Sequence, residues 1–255
     1  MIDIHSHILH GLDDGSKSIE EALDLAKHFE QQGVRHAIAT PHHNVRDWQN
    51  PKSVILPKVD QLNHELKEQN IDLNVYSGQE IRISGDITDQ IDRDDILFVG
   101  QGQNYLLIEF PNQSVPAYAS QVFNQLYERE IIPIIAHPER NHDIMEKPDV
   151  LYDLVSAGAL AQLTASSYTG DLGNKLEKFS KQLIDANLVH IIASDAHNVH
   201  TRPSHLADAY AKLEKEYDYD TRFQFESVSN RILNGEFVQP PTPEHVKKKR
   251  FFGLF

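Results

Sequence analysis

Seven short apolar segments alternate along the chain with segments that have the periodicity of amphipathic helices. Most of the seven are continuous apolar runs, which is typical of parallel strands covered on both faces. Strands are therefore predicted at Ile2–His5, His36–Thr40, Leu73–Ser77, Tyr105–Glu109, Ile132–Ala136, Ala159–Thr164 and Val189–Ala193. Helices are predicted at Ser18–Gln32, Val54–Gln69, Ala117–Arg129, Pro148–Ala157, Leu172–Asn187 and Pro203–Tyr217. This alternation predicts a parallel, barrel-like α/β fold.

Length and composition exclude several classes of protein. A chain of 255 residues fits one α/β barrel domain better than two separate domains. It contains no cysteine, which excludes disulfides, thiolate zinc sites and a phosphatase with a cysteine nucleophile. The formal charge of -14 makes nucleic acid a poor partner, because binding phosphates needs a basic surface. No signal peptide precedes the first strand, so we expect a cytoplasmic protein.

Two histidines at the end of the first strand are the first sign of chemistry. His5 and His7 are two residues apart, and side chains in a strand alternate between its two faces. Both imidazoles should therefore point to the same side. In a parallel barrel, functional groups gather at the C-terminal ends of the strands. Two histidines at that end form half of a metal site.

Residues of the same chemical types follow most of the other strands. One aspartate of the turn Asp13-Asp14 and a histidine of His42-His43 lie beyond the first two strands. A carboxylate at the end of a buried strand is costly unless it is paired or metal-bound. Each position alone has an ordinary structural explanation, but nine of them at six strand ends predict a metal site. The later candidates are Glu80, Glu109, His137, Asp195 and His197.

The mixture of ligand types and two nearby arginines point to phosphate chemistry. Imidazole with carboxylate suits manganese, iron or zinc, whereas calcium prefers oxygen ligands alone. Nine ligands are too many for one ion, and a carboxylate such as Glu80 can bridge two. Multinuclear sites of this kind hydrolyse phosphate esters. Arg140 and Arg202 follow candidate ligands closely and can hold a phosphoryl group, while Arg82 and Arg93 are expected to be exposed.

With these residues in place, the chain resembles the polymerase and histidinol phosphatase (PHP) superfamily. Within it, the chain is similar to the bacterial tyrosine-protein phosphatases of capsule and exopolysaccharide operons. The resemblance extends from Ile2 to about Gly235, and Arg202-Pro203 belongs to its more specific part. The motifs are Asp3-Ile4-His5-Ser6-His7-Ile8-Leu9, Asp13-Asp14-Gly15, Gly78-Gln79-Glu80-Ile81-Arg82, Ile108-Glu109-Phe110, Ile135-Ala136-His137-Pro138-Glu139-Arg140 and Ser194-Asp195-Ala196-His197-Asn198.

The resemblance implies a single-domain, distorted parallel (β/α)7-type barrel, the PHP fold, with a trinuclear metal site. Such sites usually depend on manganese, and iron, zinc or other divalent ions are alternatives. The resemblance also implies that Arg140 and Arg202 hold the phosphate. The implied ligands are His5, His7, Glu80 and Asp195 for one ion, Glu80, Glu109 and His137 for a second, and Asp14, His42 and His197 for a third.

The function that the resemblance implies is that of a manganese-dependent protein-tyrosine phosphatase. Its substrate is an autophosphorylating tyrosine kinase that controls capsular or exopolysaccharide synthesis. The hypothesis for the chemistry is in-line attack by a metal-bridging hydroxide, with no cysteine nucleophile. Two alternatives stay open. One is a histidinol-phosphate phosphatase, and the other is a regulatory module that binds the kinase with little catalysis.

The C-terminal end differs in composition from the domain before it. We predict a phosphatase domain over residues 1–238 and a basic-aromatic tail over residues 239–255. Four cations, Lys247 to Arg250, precede an aromatic-apolar end. Such a segment can make weak contact with an anionic membrane surface, which would place the protein peripherally at the inner face of the membrane. Docking on the kinase, packing back on the domain and an ordinary solvated tail are the alternatives.

Overall fold

A computed structural model describes residues 1–247 of the chain. The predicted alternation of strands and helices is confirmed, with most boundaries within two or three residues. The strands are β1 Ile2–Ser6, β2 His36–Ala39, β3 His42–His43, β4 Asn74–Ser77, β5 Glu80–Arg82, β6 Tyr105–Glu109, β7 Ile132–Ala136, β8 Leu160–Thr164 and β9 Ile191–Ala193. The helices are α1 Ile19–Gln31, α2 Lys52–Glu68, α3 Ile87–Asp92, α4 Ala119–Tyr127, α5 His142–Glu146, α6 Asp149–Ser156, α7 Ala165–Thr169, α8 Asn174–Asp185, α9 Leu206–Glu216 and α10 Tyr219–Leu233.

The strands form two parallel sheets, in the orders β1-β2-β4 and β3-β5-β6-β7-β8-β9. The sheets are separated where two chain segments are interrupted, one between β2 and β3 and the other between β4 and β5. His36 pairs with Asn74 in the first sheet, and His42 pairs with Glu80 in the second, so the offset is 38 residues in both. The register is therefore unchanged across the break. Pro41 lies in the gap between β2 and β3, and it has no N–H to donate to a ladder.

The first and last strands also meet. Ser6 forms a parallel bridge with Ala196, and His7 N donates to Ala196 O at 2.8 Å. Asp195 N donates to His5 O at 2.9 Å. These bonds join the C-terminal ends of β1 and β9, and they fix His5, His7 and Asp195 relative to one another.

Two apolar layers cover the strands. The larger core packs the outer strand residues, such as Leu106 and Ile108, against the surrounding helices. The smaller core packs the alternate residues of the same strands, such as Tyr105 and Leu107, against α10 and Val238. We call this second side of the strands the inner face. Helix α10 covers one end of the inner face, and its narrow apolar stripe, interrupted by polar residues, explains why the sequence did not predict it.

A β-bulge turns the first strand so that its histidines reach the inner face. Asp3 pairs with Ala37 and Ser6 pairs with Ala39. The span of β1 between these pairs is therefore one residue longer than the matching span of β2. Ile4, at the start of this irregular span, belongs to the inner core. Strict alternation would then send His5 to the outer face. The extra residue reverses the alternation, which is a known use of bulges beside functional sites.

The chain beyond α10 returns along the domain. Glu244 N donates to Ala186 O at 2.8 Å, and Asn187 Nδ2 donates to Thr242 O at 3.0 Å. The ring of His245 stacks on Tyr152 at 3.8 Å between centroids. The part of the predicted tail from residue 248 onward lies outside the described residues. Among the described helices, none combines the length and the apolar character needed to cross a membrane.

Burial of His190 gives a prediction about acid stability. This residue precedes β9 and is 3% exposed, and its Nδ1 accepts the N–H of Ala161 at 3.1 Å. Burial lowers its pKa from 6.5 to about 4. The unfolded chain binds the proton more readily, so stability is lost as the pH falls from about 6.5 to about 4. Over that window the shift corresponds to about 3 kcal/mol in the free energy of unfolding.

His190→Asn keeps an acceptor for Ala161 and removes the titrating group. We expect the wild-type protein to lose about 3 kcal/mol more than this variant between pH 7 and pH 4, measured by denaturant unfolding at each pH. His64→Asn, on the exposed face of α2, is the control and should keep the wild-type pH dependence. Parallel pH profiles for wild type and His190→Asn would contradict this account.

Candidate metal centre

The predicted ligands lie together at the C-terminal ends of the strands. Of the nine, all but Asp14 are at most 9% exposed, although every one of them is polar. Among the described residues, three overlapping groups have ligand atoms within 4.8 Å of one another. They are His7, Asp14, His42 and His197; His5, His7 and Glu80; and His42, Glu80 and Glu109.

The group of His5, His7 and Glu80, together with Asp195, has the spacing of a coordination shell. The Nε2 atoms of His5 and His7 are 3.3 Å apart, and each is 3.3 Å from Glu80 Oε2. Asp195 Oδ1 lies 3.5 Å from His5 Nε2 and 3.3 Å from His7 Nε2. Ligand atoms bound at about 2.1 Å to one ion are separated by roughly 3.0–3.4 Å. The four side chains therefore match the corners of one metal site.

Glu80 connects this group to the next. Its Oε2 atom is 3.0 Å from His42 Nδ1, and its Oε1 atom is 2.7 Å from His137 Nε2. Glu109 contributes oxygens 3.9 Å from each of these two histidines. The two oxygens of Glu80 thus face different sets of ligands, which is the arrangement of a bridging carboxylate.

A third set of ligands lies on the exposed side of the cluster. Asp14 Oδ1 is 3.2 Å from His197 Nε2 and 3.6 Å from His42 Nε2. The ring of His7 stacks on that of His197 with 3.8 Å between centroids. Asp14 is also the most exposed of the predicted ligands, with a side chain that is 39% accessible. This set is therefore the one nearest to solvent.

The unpaired atoms of the cluster test whether cations fit it. Within residues 1–247, buried atoms without a hydrogen-bond partner include Asp14 Oδ1, His42 Nδ1, Glu80 Oε2 and His197 Nε2. A buried polar atom without a partner costs about 1–3 kcal/mol. All four face other ligand atoms across gaps of 3.0–3.6 Å. Divalent cations between them would satisfy all four, so the residues fit a metal cluster.

Three histidines have one ring nitrogen fixed by a neighbour and the other directed to the cluster. His5 Nδ1 contacts Gln162 Oε1 at 2.9 Å, and His7 Nδ1 contacts Asp13 Oδ2 at 2.7 Å. His197 Nδ1 contacts the backbone oxygen of Asp195 at 2.9 Å. Each partner is an acceptor, so Nδ1 carries the proton and Nε2 keeps its lone pair for a metal.

The structure separates the two pairs of adjacent candidates. Asp13 accepts the ring N–H of His7 and the backbone N–H groups of Gly15 and His42, so it orients ligands. His43 uses both ring nitrogens elsewhere, because Nε2 contacts Gln90 and Nδ1 accepts the N–H of Asn50. Asp14 and His42 are therefore the members of each pair that face the cluster.

Sequence reasoning was wrong about Arg82 and missed Gln162. Arg82 is not an exposed residue: its guanidinium is 2.7 Å from Glu109 Oε2, and it lines the same cavity as the ligands. The pairing neutralises a carboxylate at the edge of the cluster. Gln162 is buried in β8 and orients His5. The one signal for it was a polar residue inside an otherwise apolar strand.

Two of the predicted ligands have strained backbone. His137 has φ 33° and Asp195 has φ 53°, both in the left-handed region. Non-glycine residues in sparsely populated conformations cost about 1–3 kcal/mol each and cluster at functional sites. His137 directly follows β7, and Asp195 is the second residue after the end of β9. The strained turn redirects each side chain from the strand into the cluster.

Burial and neighbouring charges set the protonation of the cluster. Burial and, secondly, the charge of Arg140 lower the pKa of His137 to about 4. Burial likewise lowers the pKa of His197 to about 4, with His7 as a second cause. Both imidazoles are therefore neutral at pH 7, the form that binds metal. Burial and the charge of Glu80 raise the pKa of Glu109 to about 7.

The two predicted phosphate-binding arginines border the same cluster. Arg140 donates to Asp195 Oδ2 at 2.7 Å, and Arg202 contacts that oxygen at 3.1 Å and Asp14 Oδ2 at 3.3 Å. Their side chains are 25% and 38% exposed. Both line a cavity of about 530 Å³ together with the ligands Glu80 and Glu109. The cavity is therefore large enough for a phosphate ester and has guanidinium groups within it.

An α/β fold that brings imidazoles, carboxylates and guanidinium groups to one cavity at its strand ends defines a metal-dependent phosphoesterase type of site. The chain belongs to the family described as capsular polysaccharide synthesis, CpsB/CapC, whose model matches residues 1–233. The predicted family is thereby confirmed.

Relatives extend over the full chain. It is 42% identical to the tyrosine-protein phosphatase YwqE of Bacillus subtilis, over the whole length of both proteins. It is 40% identical to the putative tyrosine-protein phosphatase CapC of Staphylococcus aureus, again over both full lengths. The fold matches a chain from the crystal structures of YwqE and of CpsB from Streptococcus pneumoniae, described as unique metal-dependent tyrosine phosphatases. That match has a TM-score of 0.94 and 41% identity, and covers 97% of this chain and all of the other.

Gly15 explains how the Asp13-Asp14 turn reaches the cluster. A Cβ atom at this position would lie 2.2 Å from His7 O, so only glycine allows the turn to pack against β1. We expect Gly15→Ala to displace the turn and to weaken binding of the metal next to Asp14. Manganese titration of metal-free protein should show fewer bound ions per chain.

Gly85→Ala is the matched control, because a Cβ there has no heavy atom within 4 Å. Its metal content and melting temperature should equal those of the wild type. If Gly15→Ala bound the same number of ions with the same affinity, close packing of the turn on His7 would not matter for the site.

Proposed function

We propose that this protein is a metal-dependent protein-tyrosine phosphatase. The observation that carries the proposal is the convergence of unpaired ligand atoms and two guanidinium groups on one cavity. The curated relatives named as tyrosine-protein phosphatases support the same activity. The chain has no cysteine, so hydrolysis does not pass through a cysteinyl-phosphate.

We propose that the nine residues predicted from the sequence are metal ligands and that they hold up to three ions. His5, His7, Glu80 and Asp195 form the first set, and Glu80, Glu109 and His137 the second. Asp14, His42 and His197 form the third. Manganese is the proposed native metal, with iron, zinc or another divalent ion as alternatives that this donor set also accepts. Bound divalent ions would lower the pKa of a water molecule and offset the charge of the phosphoryl oxygens.

The side chains of the protein bind and orient the phosphate. Arg140 and Arg202 offer guanidinium donors to its oxygens, and a bidentate fork restricts the phosphoryl group to one orientation. Their contacts with Asp195 keep both guanidinium groups beside the first ligand set. The phenolate that leaves from phosphotyrosine has a pKa of about 10 and so needs less protonation than the alkoxide of a serine ester.

The proposed substrate is a phosphorylated tyrosine kinase encoded with the polysaccharide genes. Its support is the family description, which refers to capsular polysaccharide synthesis. We also propose that the two sheets form one closed, seven-stranded barrel. The constant offset across the sheet break and the Ser6–Ala196 bridge support this. The cytoplasmic location, the domain boundary at residue 238 and weak membrane contact through the tail stay predictions.

Phosphate release by metal-stripped, full-length protein tests the function. With manganese added, we expect release mainly from a phosphotyrosine peptide, little from a phosphoserine peptide and little from histidinol phosphate. Without metal, release of phosphate should stop, because the imidazole and carboxylate groups of the protein cannot by themselves bind the phosphate oxygens of the substrate. Release mainly from histidinol phosphate would keep the site but reject the proposed substrate class.

The double variant His5→Ala, His7→Ala should have no detectable turnover, because it removes two ligands of the most buried ion. His64→Ala, which removes an exposed imidazole on α2, is the control and should retain wild-type turnover. Metal content is measured in parallel by elemental analysis. Turnover by the double variant with an empty site would refute the metal-dependent scheme.

A further inference from the structure

The cavity that contains the ligand cluster has three apolar residues in its lining. Val45, Trp48 and Met145 are the apolar residues among those that line it, and the others are polar or charged. The three come from two segments, the loop after β3 and helix α5. All three are partly exposed, whereas most of the ligands are buried. The buried ligands therefore form the deep part of the cavity, and the outer part of its lining combines these apolar residues with the exposed polar residues Asn112, Gln113 and His142.

Trp48 is held in a fixed position beside the ligands. Its backbone N–H donates to Val45 O at 2.9 Å, which closes the turn after β3. Asn44, with φ 62°, begins this turn and donates from Nδ2 to Gln90 Oε1. The indole stacks on the imidazole of His42, with 5.1 Å between centroids and 8° between planes. One face of the indole therefore packs on a ligand of the cluster.

Met145 is on the same short segment as one of the phosphate-binding groups. Helix α5 begins after Asn141, whose side chain accepts the N–H of Ile144. His142 N donates to Asn112 O and ties the helix to the loop after β6. The segment thus places Arg140 and Met145 in the lining of the same cavity. A thioether is adaptable and packs well against aromatic rings.

A deep polar floor with apolar side chains nearer the opening matches a phosphoryl group attached to a ring. We infer that Val45, Trp48 and Met145 form an aromatic slot that binds the phenyl ring of phosphotyrosine and selects aryl over alkyl phosphate esters. The inference rests on the proposed function and names the residues that determine its specificity. In a phosphoserine residue one methylene separates the ester oxygen from the backbone. Such a residue does not reach the three apolar side chains and brings its backbone close to the polar floor of the cavity.

Binding of a non-hydrolysable ligand tests the slot directly. The probe is a peptide that carries 4-(phosphonomethyl)phenylalanine, measured by calorimetry on full-length, manganese-loaded protein. We expect Trp48→Ala and Met145→Ala each to weaken binding about tenfold, because a ring contact worth about 1.4 kcal/mol is lost. Trp48→Phe should keep most of the affinity, because it retains an aromatic surface. The value of kcat/KM for a phosphotyrosine peptide should fall in parallel.

Inorganic phosphate is the probe that lacks a ring. Its inhibition constant should stay within twofold of wild type in both alanine variants, and their manganese content should be unchanged. Tyr219→Ala removes an aromatic ring that is 62% exposed on α10, away from the cavity, and is the matched control for both probes. It should bind peptide and phosphate as the wild type does.

Two results would overturn the inference. Unchanged peptide binding in Trp48→Ala and Met145→Ala would show that the ring does not use the slot. An equal loss for peptide and inorganic phosphate would show that Trp48 acts through His42 and the metal site. The slot and the proposed function fail separately, because tenfold weaker peptide binding supports the slot even if the wild-type protein releases no phosphate.

Discussion

The buried carboxylate of Glu80 is the group around which the site is organised. It is 0% exposed, and its Oε2 atom has no hydrogen-bond donor although three imidazole nitrogens lie within 3.0–3.3 Å. An ionised carboxylate in the interior costs several kcal/mol unless positive charge compensates it. The neighbouring predicted ligands all come from other strands. The groups that surround Glu80 are therefore brought together only if the strands pair in one register. The pairing of β3 with β5 places His42 directly opposite Glu80 and supplies that register.

Much of the fold and most of the site follow from the sequence because parallel strands have a simple signal. Continuous apolar runs mark buried strands, and a polar residue directly after such a run is costly without a partner. That rule pointed to Glu109, the carboxylate directly after Leu106-Leu107-Ile108, from the sequence alone. Motif resemblance then separated Asp14 from Asp13, which residue type could not do. In the structure the contacts of Asp13 with His7, Gly15 and His42 give the physical reason.

Other features depend on contacts between distant segments and leave little local signal. The bulge in β1 is visible only in its pairing with β2, yet it decides which face His5 occupies. Arg82 is an ordinary polar residue in the sequence and becomes a partner of Glu109 only when β5 and β6 align. The short strands β3 and β5 are continuations of earlier strands, which a reading of separate apolar runs does not detect. These residues position the predicted ligands rather than replace them.

The site also reconciles an acidic chain with an anionic substrate. The formal charge is -14, but Arg82, Arg140 and Arg202 all line the one cavity that contains the ligand cluster. Cations in the cluster would add further positive charge there. At moderate salt, charges on the acidic surface are screened over about 8–10 Å. The positive charge within the cavity then determines whether a phosphate binds. Trp48 and Met145 add apolar surface to the lining of the same cavity.

Anomalous diffraction from crystals of manganese-loaded protein tests the central claim most directly. Data collected at the manganese absorption edge locate each ion without reference to activity. The account predicts peaks inside the ligand cluster, with one between the Nε2 atoms of His5 and His7, Glu80 and Asp195. Occupied peaks elsewhere on the protein, with the space beside Glu80 empty at saturating manganese, would contradict it.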